Sequence, residues 1–340
     1  MKLQQLIDKT VNNKKVIGVV VSVHSGSESW TGSSGNLTNE SQYFIASATK
    51  LYTTAIIMKL REDGRLRLED KISAYLEPGL LKNLHIYKGV DYSDSLTIKH
   101  LLAQNSGLPD YFEGEDADGN SLKDELLLGK DRKWGCEEAV EISKKMKSRF
   151  PPGKQGKAFY SDTNFQLLGR IIEIVTGKTY ARALAEHIFV PLNLEQTYLF
   201  QDSSDTRPVS LYYRTAPLAI PLAMTSFGPD GGIVSTAGES MIFLKAFFRG
   251  KLFPAAYLAE MQHWNKIFFP LQYGVGIMKF KLPWFFSPFK SFPELIGHSG
   301  LSGAFAYYCP AKNIFLTGTV NQVAHSDISY KLMIKISSKL

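Results

Sequence analysis

The chain places its β-branched runs at its two ends. Val16 to Val23, in the stretch VIGVVVSVH, lies near the start, and GAFAYYC and NIFLTGTVNQ, on either side of a Pro310-Ala311-Lys312 turn, lie near the end. Most of what separates them carries the charge patterning and apolar spacing of helices, as in LTIKHLLAQ, EEAVEISKKMK and FQLLGRIIEIVTG. This distribution implies an α+β fold: an α/β sandwich whose antiparallel sheet is built from both termini, with a helical domain inserted between them. The expected division is 1–80 with 230–340 for the sheet domain and 81–229 for the mostly helical one, with an active site between them. Leu3, Leu6, Ile7 and Val11 predict a helix over residues 3–12, and the Ser25-Gly26-Ser27 turn with a short polar strand around Trp30 predicts a hairpin at the sheet edge. YGVGIMKF reads as a strand, and a last helix is expected from Ser326 to Lys339.

Composition narrows the function classes. With 44% hydrophobic and 21% charged residues over 340 positions, the chain has the apolar content to bury a substantial core and is not a disordered one. Its net charge of +7 is spread rather than blocked, and no zinc-knuckle or helix-turn-helix pattern accompanies it, so no nucleic-acid partner is expected. Cys136 and Cys309 lack the paired spacing of a disulfide framework or metal site; two buried thiols, no metal and no cofactor are expected. Lys14-Lys15 before Val16–Val23 resembles parts of a signal peptide, but the preceding segment is polar and carries Asp8. No stretch reaches the roughly 18 apolar residues of a membrane span. A cytoplasmic protein is expected if the N-terminus is complete, and a periplasmic or extracellular one if a signal peptide has been removed.

Ser47-Ala48-Thr49-Lys50 carries the chemistry. At the start of a helix, positions i and i+3 share a face, so the Ser47 hydroxyl and the Lys50 amine come within hydrogen-bond reach. A serine hydroxyl is a weak nucleophile until a neighbour takes its proton, and a lysine in a water-poor pocket can lose its charge and do so. A second Ser-x-x-Lys, Ser287 to Lys290, sits among Pro283, Pro288 and Pro293, where no regular helix forms, whereas LYTTAIIMKLREDG after Ser47 reads as a buried helix stopped by Gly64.

Ser47-Ala48-Thr49-Lys50, Tyr160-Ser161-Asp162 and His298-Ser299-Gly300 resemble the three ordered motifs of the serine β-lactamase and penicillin-binding-protein superfamily, in its class C-like branch. The blocks around them, including IKHLLAQNSGLPDY, PPGKQGKAFYSDTNFQLLGRIIEIVTG, GGIVSTAGE and IGHSGLSGAFAYYCP, follow that family's order over most of the chain. The resemblance implies a β-lactamase/transpeptidase-like fold. Decoy copies, Tyr92-Ser93-Asp94 and His24-Ser25-Gly26, fall out of order and read as turns or solvent-facing strand ends.

By the same resemblance, Tyr160 joins Lys50 in proton transfer, and which of the two is the base stays open. Asp162 stands where relatives often carry asparagine; its carboxylate can pair with Lys50 and keep it charged. His298 stands where class C β-lactamases carry lysine, as in D-Ala-D-Ala carboxypeptidases, D-amino-acid peptidases and esterases of the branch, and is expected to hydrogen-bond or orient the Tyr160 hydroxyl and the substrate. Ser299 belongs to the same substrate-facing motif, and Gly300 lets a strand backbone approach the substrate. The backbone N–H groups of Ser47 and Leu301 are expected to form the oxyanion hole. Gly228, Gly231 and Gly232 match a family loop, and the aromatic span from Phe268 through Trp284, Phe285, Phe286, Phe289 and Phe292 is expected to pack across a strand and loop rather than wall an acyl pocket or touch a membrane.

The expectation is a serine hydrolase that forms an acyl-enzyme on a small ester or amide or a D-amino-acid peptide, with β-lactams as acylating ligands. The alternatives are a penicillin-binding sensor or scaffold that acylates without turnover, and a genuine class C-like β-lactamase.

Overall fold

β1 (Gly18–Ser25) and β2 (Glu28–Gly35) pair as an antiparallel hairpin, with Val23 opposite Trp30 and Ser25 opposite Glu28. On its other side β1 pairs with the strand Ile314–Thr319, His24 facing Phe315, so the two ends of the chain meet in one sheet. The computed structural model describes residues 2–12, 14–283 and 292–340. In it the main sheet has eight antiparallel strands in the order 265–266, 271–273, 278–280, 295–299, 304–309, 314–319, β1, β2. β1 is buried along nearly its whole length because helices cover both faces, so valines fill both of its faces and its two buried polar residues, Ser22 and His24, bond Thr31 and Ser29 of β2. β2 is the edge strand, which explains its polar sequence ESWTGSSG.

Two helical layers flank the sheet. Val19, Val21 and Val23 face a core containing Ile7 from α1 (Lys2–Asp8) and Leu332, Met333 and Ile336 from the C-terminal helix Ile328–Ser337. Val20 joins the larger core on the opposite side, with α2 (Thr49–Glu62) and the helix Ala237–Phe248. Each fully buried side chain of this kind contributes roughly 2 kcal/mol of transfer free energy. That larger core also takes in Leu101 and Leu102, and Phe165 to Ile172 of the helix Asp162–Thr176, so α2 packs against residues on both sides of the expected boundaries at 80 and 230.

Several local expectations change. The first helix ends at Asp8, because the Asn12 side chain accepts the backbone N–H groups of Lys14, Lys15 and Val16 and bends the chain toward β1. YGVGIMKF is not one strand: Gly276, at φ +74°, turns the chain so that Tyr273 pairs with Met278 across a tight hairpin. His24 lies within β1 and is buried, not in the hairpin turn, and Cys136 is half-buried while Cys309 is buried. The decoy Ser287–Lys290 and the aromatic residues Trp284, Phe285, Phe286 and Phe289 lie outside the described residues, whereas Phe268 and Phe269 are exposed. Among the described residues no helix is long and apolar enough to cross a membrane, and no group of His, Cys, Asp and Glu has the arrangement of a metal site.

Candidate active site

The short strand Tyr43–Phe44 pairs with Ile233–Ser235, and the Ile45 N–H donates to the Ile233 carbonyl. Ala46 then takes φ +46°, a conformation alanine rarely adopts, and the chain turns through Ala46–Ala48 into α2. This bend lifts Ser47 out of the core and starts a helix whose residues are buried on almost every side. Lys50 follows one turn later with its side chain wholly buried, and its Nζ lies 3.2 Å from Ser47 Oγ.

Two further groups hold that amine. Lys50 Nζ lies 2.6 Å from Asp162 Oδ1 and donates to the main-chain carbonyl of Asp230 at 2.7 Å. Burial alone would pull the Lys50 ammonium down; the adjoining Asp162 carboxylate more than restores it, so Lys50 sits above its ordinary pKa and is charged at rest. Its loop partner is fastened to α2 at neighbouring positions, since Thr53 Oγ1 donates to the Pro229 carbonyl and Thr49 Oγ1 accepts the Ile233 N–H.

Tyr160 and Asp162 owe their positions to the segment 104–111. Gln104 accepts the Phe159 N–H on its carbonyl and the Ser161 N–H on its side chain, Ser161 Oγ and Thr163 Oγ1 both donate to the Pro109 carbonyl, and Asp110 Oδ1 accepts the Asp162 N–H at 2.9 Å. The Tyr160 ring lies 5.1 Å from Lys50 Nζ. Burial and the Asp162 charge hold the Tyr160 phenol well above its ordinary value, offset only in part by a hydrogen bond with Ser47. At rest Tyr160 is therefore a protonated donor rather than a phenolate.

His298 lies beside Tyr160, the two ring centres 6.1 Å apart. Its ring is fully buried, and both nitrogens are engaged: Nδ1 lies 2.8 Å from the Ser299 carbonyl and Nε2 lies 3.1 Å from Tyr273 Oη. Burial, then Lys50, pushes the imidazole down to about 3, so it is neutral, with Nδ1–H donating to the carbonyl and Nε2 accepting from the tyrosine. No hydrogen bond joins His298 to the Tyr160 hydroxyl. Its contact with Tyr160 is ring to ring, and Tyr273, which it hydrogen-bonds, meets the same ring edge-on at 6.0 Å. Ser299 Oγ is likewise engaged, by the hydroxyls of Tyr330 and Tyr307.

Gly300 lines the cleft beside Ser47. An added Cβ there would lie 2.5 Å from the Ile45 carbonyl oxygen and 2.8 Å from the Ala46 Cβ, so glycine lets the end of the His298 strand seat against the Ser47 turn itself. Ser302 Oγ locks the two together by donating to the Phe44 carbonyl. The backbone N–H groups of Ser47 and Leu301 bond no other protein group among the described residues and border one cleft.

That cleft, of about 900 Å³, carries Glu113, Glu115, Asp116 and Asp327 against Arg149. A smaller apolar pocket of about 70 Å³ also reaches Ser47, walled by Phe112, Leu126, Ile220, Met224 and Leu301.

Sequence reasoning singled out neither Asp110 nor Asp230. Asp230 is buried, and its Oδ2 accepts from Tyr111 Oη at 2.8 Å and Gln166 Nε2 at 3.0 Å. Burial, then the Asp162 charge, pushes the Asp230 carboxyl well above the carboxylate range, and the same two causes push Asp110 up to about 8. Asp162 and Asp230 thus both flank the Lys50 cation, with Asp110 behind Asp162. Asp230→Asn, which keeps the acceptor for Tyr111 and Gln166, should leave kcat for ester hydrolysis within about threefold of wild type, whereas Asp230→Ala should lower it by at least about tenfold through loss of two hydrogen bonds near 1 kcal/mol each. Equal losses in the two variants would show that the carboxyl works ionised.

The family model described as Beta-lactamase matches residues 3–330. The chain belongs to the beta-lactamase family. Protein flp of Staphylococcus aureus (strain MW2) is 33% identical over 177 residues, covering 51% of this chain and 31% of that protein, so the match spans about a third of that relative's length. The D-alanyl-D-alanine-carboxypeptidase/endopeptidase AmpH of Escherichia coli (strain K12) is 26% identical over 282 residues, covering 79% of this chain and 68% of AmpH. The crystal structure of a D-stereospecific amidohydrolase from Streptomyces sp. superposes with a TM-score of 0.81 at 26% identity, covering 97% of this chain and 96% of that one. The fold is that of this β-lactamase/transpeptidase-like group.

Proposed function

We propose that this beta-lactamase-family protein is a serine hydrolase that works through an acyl-enzyme on Ser47. The observation that carries the reading is the buried Lys50 amine 3.2 Å from the Ser47 hydroxyl. A carbonyl seated against the Ser47 and Leu301 N–H groups is attacked by Ser47 Oγ; the deprotonated fraction of Lys50 takes the hydroxyl proton, Tyr160 gives its proton to the leaving atom, and Lys50 returns one to Tyr160. Water then repeats the attack on the ester, frees the acid and restores Ser47.

The substrate we propose is a small amide or ester of a D-amino acid with a free amino group. Glu115 and Asp116 in the cleft, which form no ion pair among the described residues, favour an ammonium over the terminal carboxylate of a carboxypeptidase substrate, Glu113 and Asp327 being paired with Lys123 and Lys331. The apolar pocket suits a compact acyl side chain. The likeness to a D-stereospecific amidohydrolase supports this choice. A panel of D- and L-amino-acid amides, D-alanyl-D-alanine, p-nitrophenyl esters and penicillins tests it. Highest kcat/KM on D-amino-acid amides or esters is expected, and preference for D-alanyl-D-alanine would overturn it. A second reading, a penicillin-binding sensor, draws on the Asp162 ion pair that keeps Lys50 charged and so slows deacylation; a lasting penicillin adduct without turnover of any ester or amide would favour it.

Asp162 tunes the pH dependence under this reading. Removing its charge leaves burial as the main influence on Lys50 and lowers its pKa, so a larger unprotonated fraction exists at any given pH. In Asp162→Asn the acid limb of kcat/KM should therefore move to lower pH, measured by a pH–rate profile on p-nitrophenyl butyrate. An unmoved limb would remove Lys50 from the role of base.

A further inference from the structure

A groove of about 400 Å³ runs beside the helix Ala237–Phe248 and shares no lining residue with the Ser47 cleft. It exists because that helix packs over β1 and the two strands beyond it, leaving one face of the edge strand β2 open. Hydroxyls of Ser29 and Thr31 line one side, Lys245, Arg249 and Lys251 line the other, and no carboxylate does. Among the described residues none of these three cations forms an ion pair with a carboxylate, so their charges stand together uncompensated.

The helix end accounts for Lys245 in the last turn and Arg249 at the C-cap, which complement the dipole, but not for Lys251 beyond it. Burial, then Arg249 and Lys251, holds the Lys245 ammonium below its usual value, and burial, then Lys245 and Arg249, does the same to the His24 imidazole. Arg249 is held in place by its Nη2 lying 3.4 Å from His24 Nε2 and by its guanidinium lying 5.2 Å from the centre of the Phe315 ring. Like charges so assembled repel one another, and a multivalent anion would offset that cost.

We propose that this groove binds a small molecule carrying a phosphate group attached to an apolar body. The guanidinium fork and lysine ammonium groups suit phosphate oxygens, the β2 hydroxyls supply further donors, and Met241 with the half-exposed Ile242 lies against the body. The recess has the volume of a small-molecule site rather than the flat face a bilayer requires.

Isothermal titration with inorganic phosphate and with phenyl phosphate tests the proposal on wild type and on Lys245→Gln/Arg249→Gln. Far-UV circular dichroism and p-nitrophenyl butyrate hydrolysis check that the variant is folded, since neither residue lines the cleft. Saturable binding of both probes is expected, tighter for phenyl phosphate, weakened by salt and at least about tenfold weaker in the variant. No saturable binding to wild type, or equal binding to the folded variant, would overturn it. So would retention on phosphatidylglycerol vesicles without binding of either soluble probe, which would make the patch a membrane-facing one.

Discussion

In Ser47→Ala, hydrolysis of p-nitrophenyl butyrate is expected to fall by at least about a thousandfold with the fold retained. The size of the loss follows from the bonds at stake. Ser47 makes the covalent link that divides one difficult displacement into two easier ones, and without its hydroxyl Lys50 has no nucleophile to deprotonate. Retention of the fold follows from the environment, because Ser47 is half-exposed on the bend after Ala46 and its side chain contributes nothing to the apolar core. Residual turnover would measure what the N–H groups of Ser47 and Leu301 achieve with water alone. An unchanged rate would place the esterase site elsewhere on the chain.

Lys50→Met should lose activity to a similar degree and, unlike Ser47→Ala, should also destabilise the protein. The lysine side chain is fully buried and the Asp162 side chain is 9% exposed. Removing the cation strands a buried carboxylate, a change that costs about 3–5 kcal/mol when one member of a buried pair is deleted. The double variant Lys50→Met/Asp162→Asn should recover most of that stability, since both charges are then gone, and none of the activity. Chemical denaturation with ester hydrolysis on the same samples separates the two effects. Recovery of activity in the double variant would mean that Lys50 only balances Asp162; undiminished stability in Lys50→Met would mean that Asp162 already carries a proton.

The parts of the site that could be read from sequence are those whose geometry is local. Ser47 and Lys50 are three residues apart on a helix whose apolar run announces its burial, and their proximity follows from helical spacing. The Lys50–Asp162 pair was legible as chemistry because a carboxylate replaced an amide at a motif position. Asp230 was not, since it reaches Lys50 across 180 residues of chain and through a main-chain carbonyl that carries no sequence signal. Asp110 lay within a recognisable block, yet its high pKa arises from burial beside Asp162, which only the packed structure sets. The hydrogen-bond partner of His298 is hidden in the sequence for a related reason. A strand residue points to one face or the other according to register, and pairing of Met278 with Gly297 brings Tyr273, from the preceding hairpin, within hydrogen-bond reach of the imidazole, which also packs against Tyr160. The same hairpin explains the missed break in YGVGIMKF: an apolar run with β-branched residues reads as strand until the left-handed Gly276 turns it back.

Modification of Ser47 by an active-site-directed acyl mimic tests the central claim most directly. After incubation with a fluorophosphonate, the intact mass should rise by one adduct per chain, peptide mapping should place it on Ser47, and Ser47→Ala should remain unmodified. Folded wild-type protein that gains no adduct, or carries it on another residue, would contradict the account.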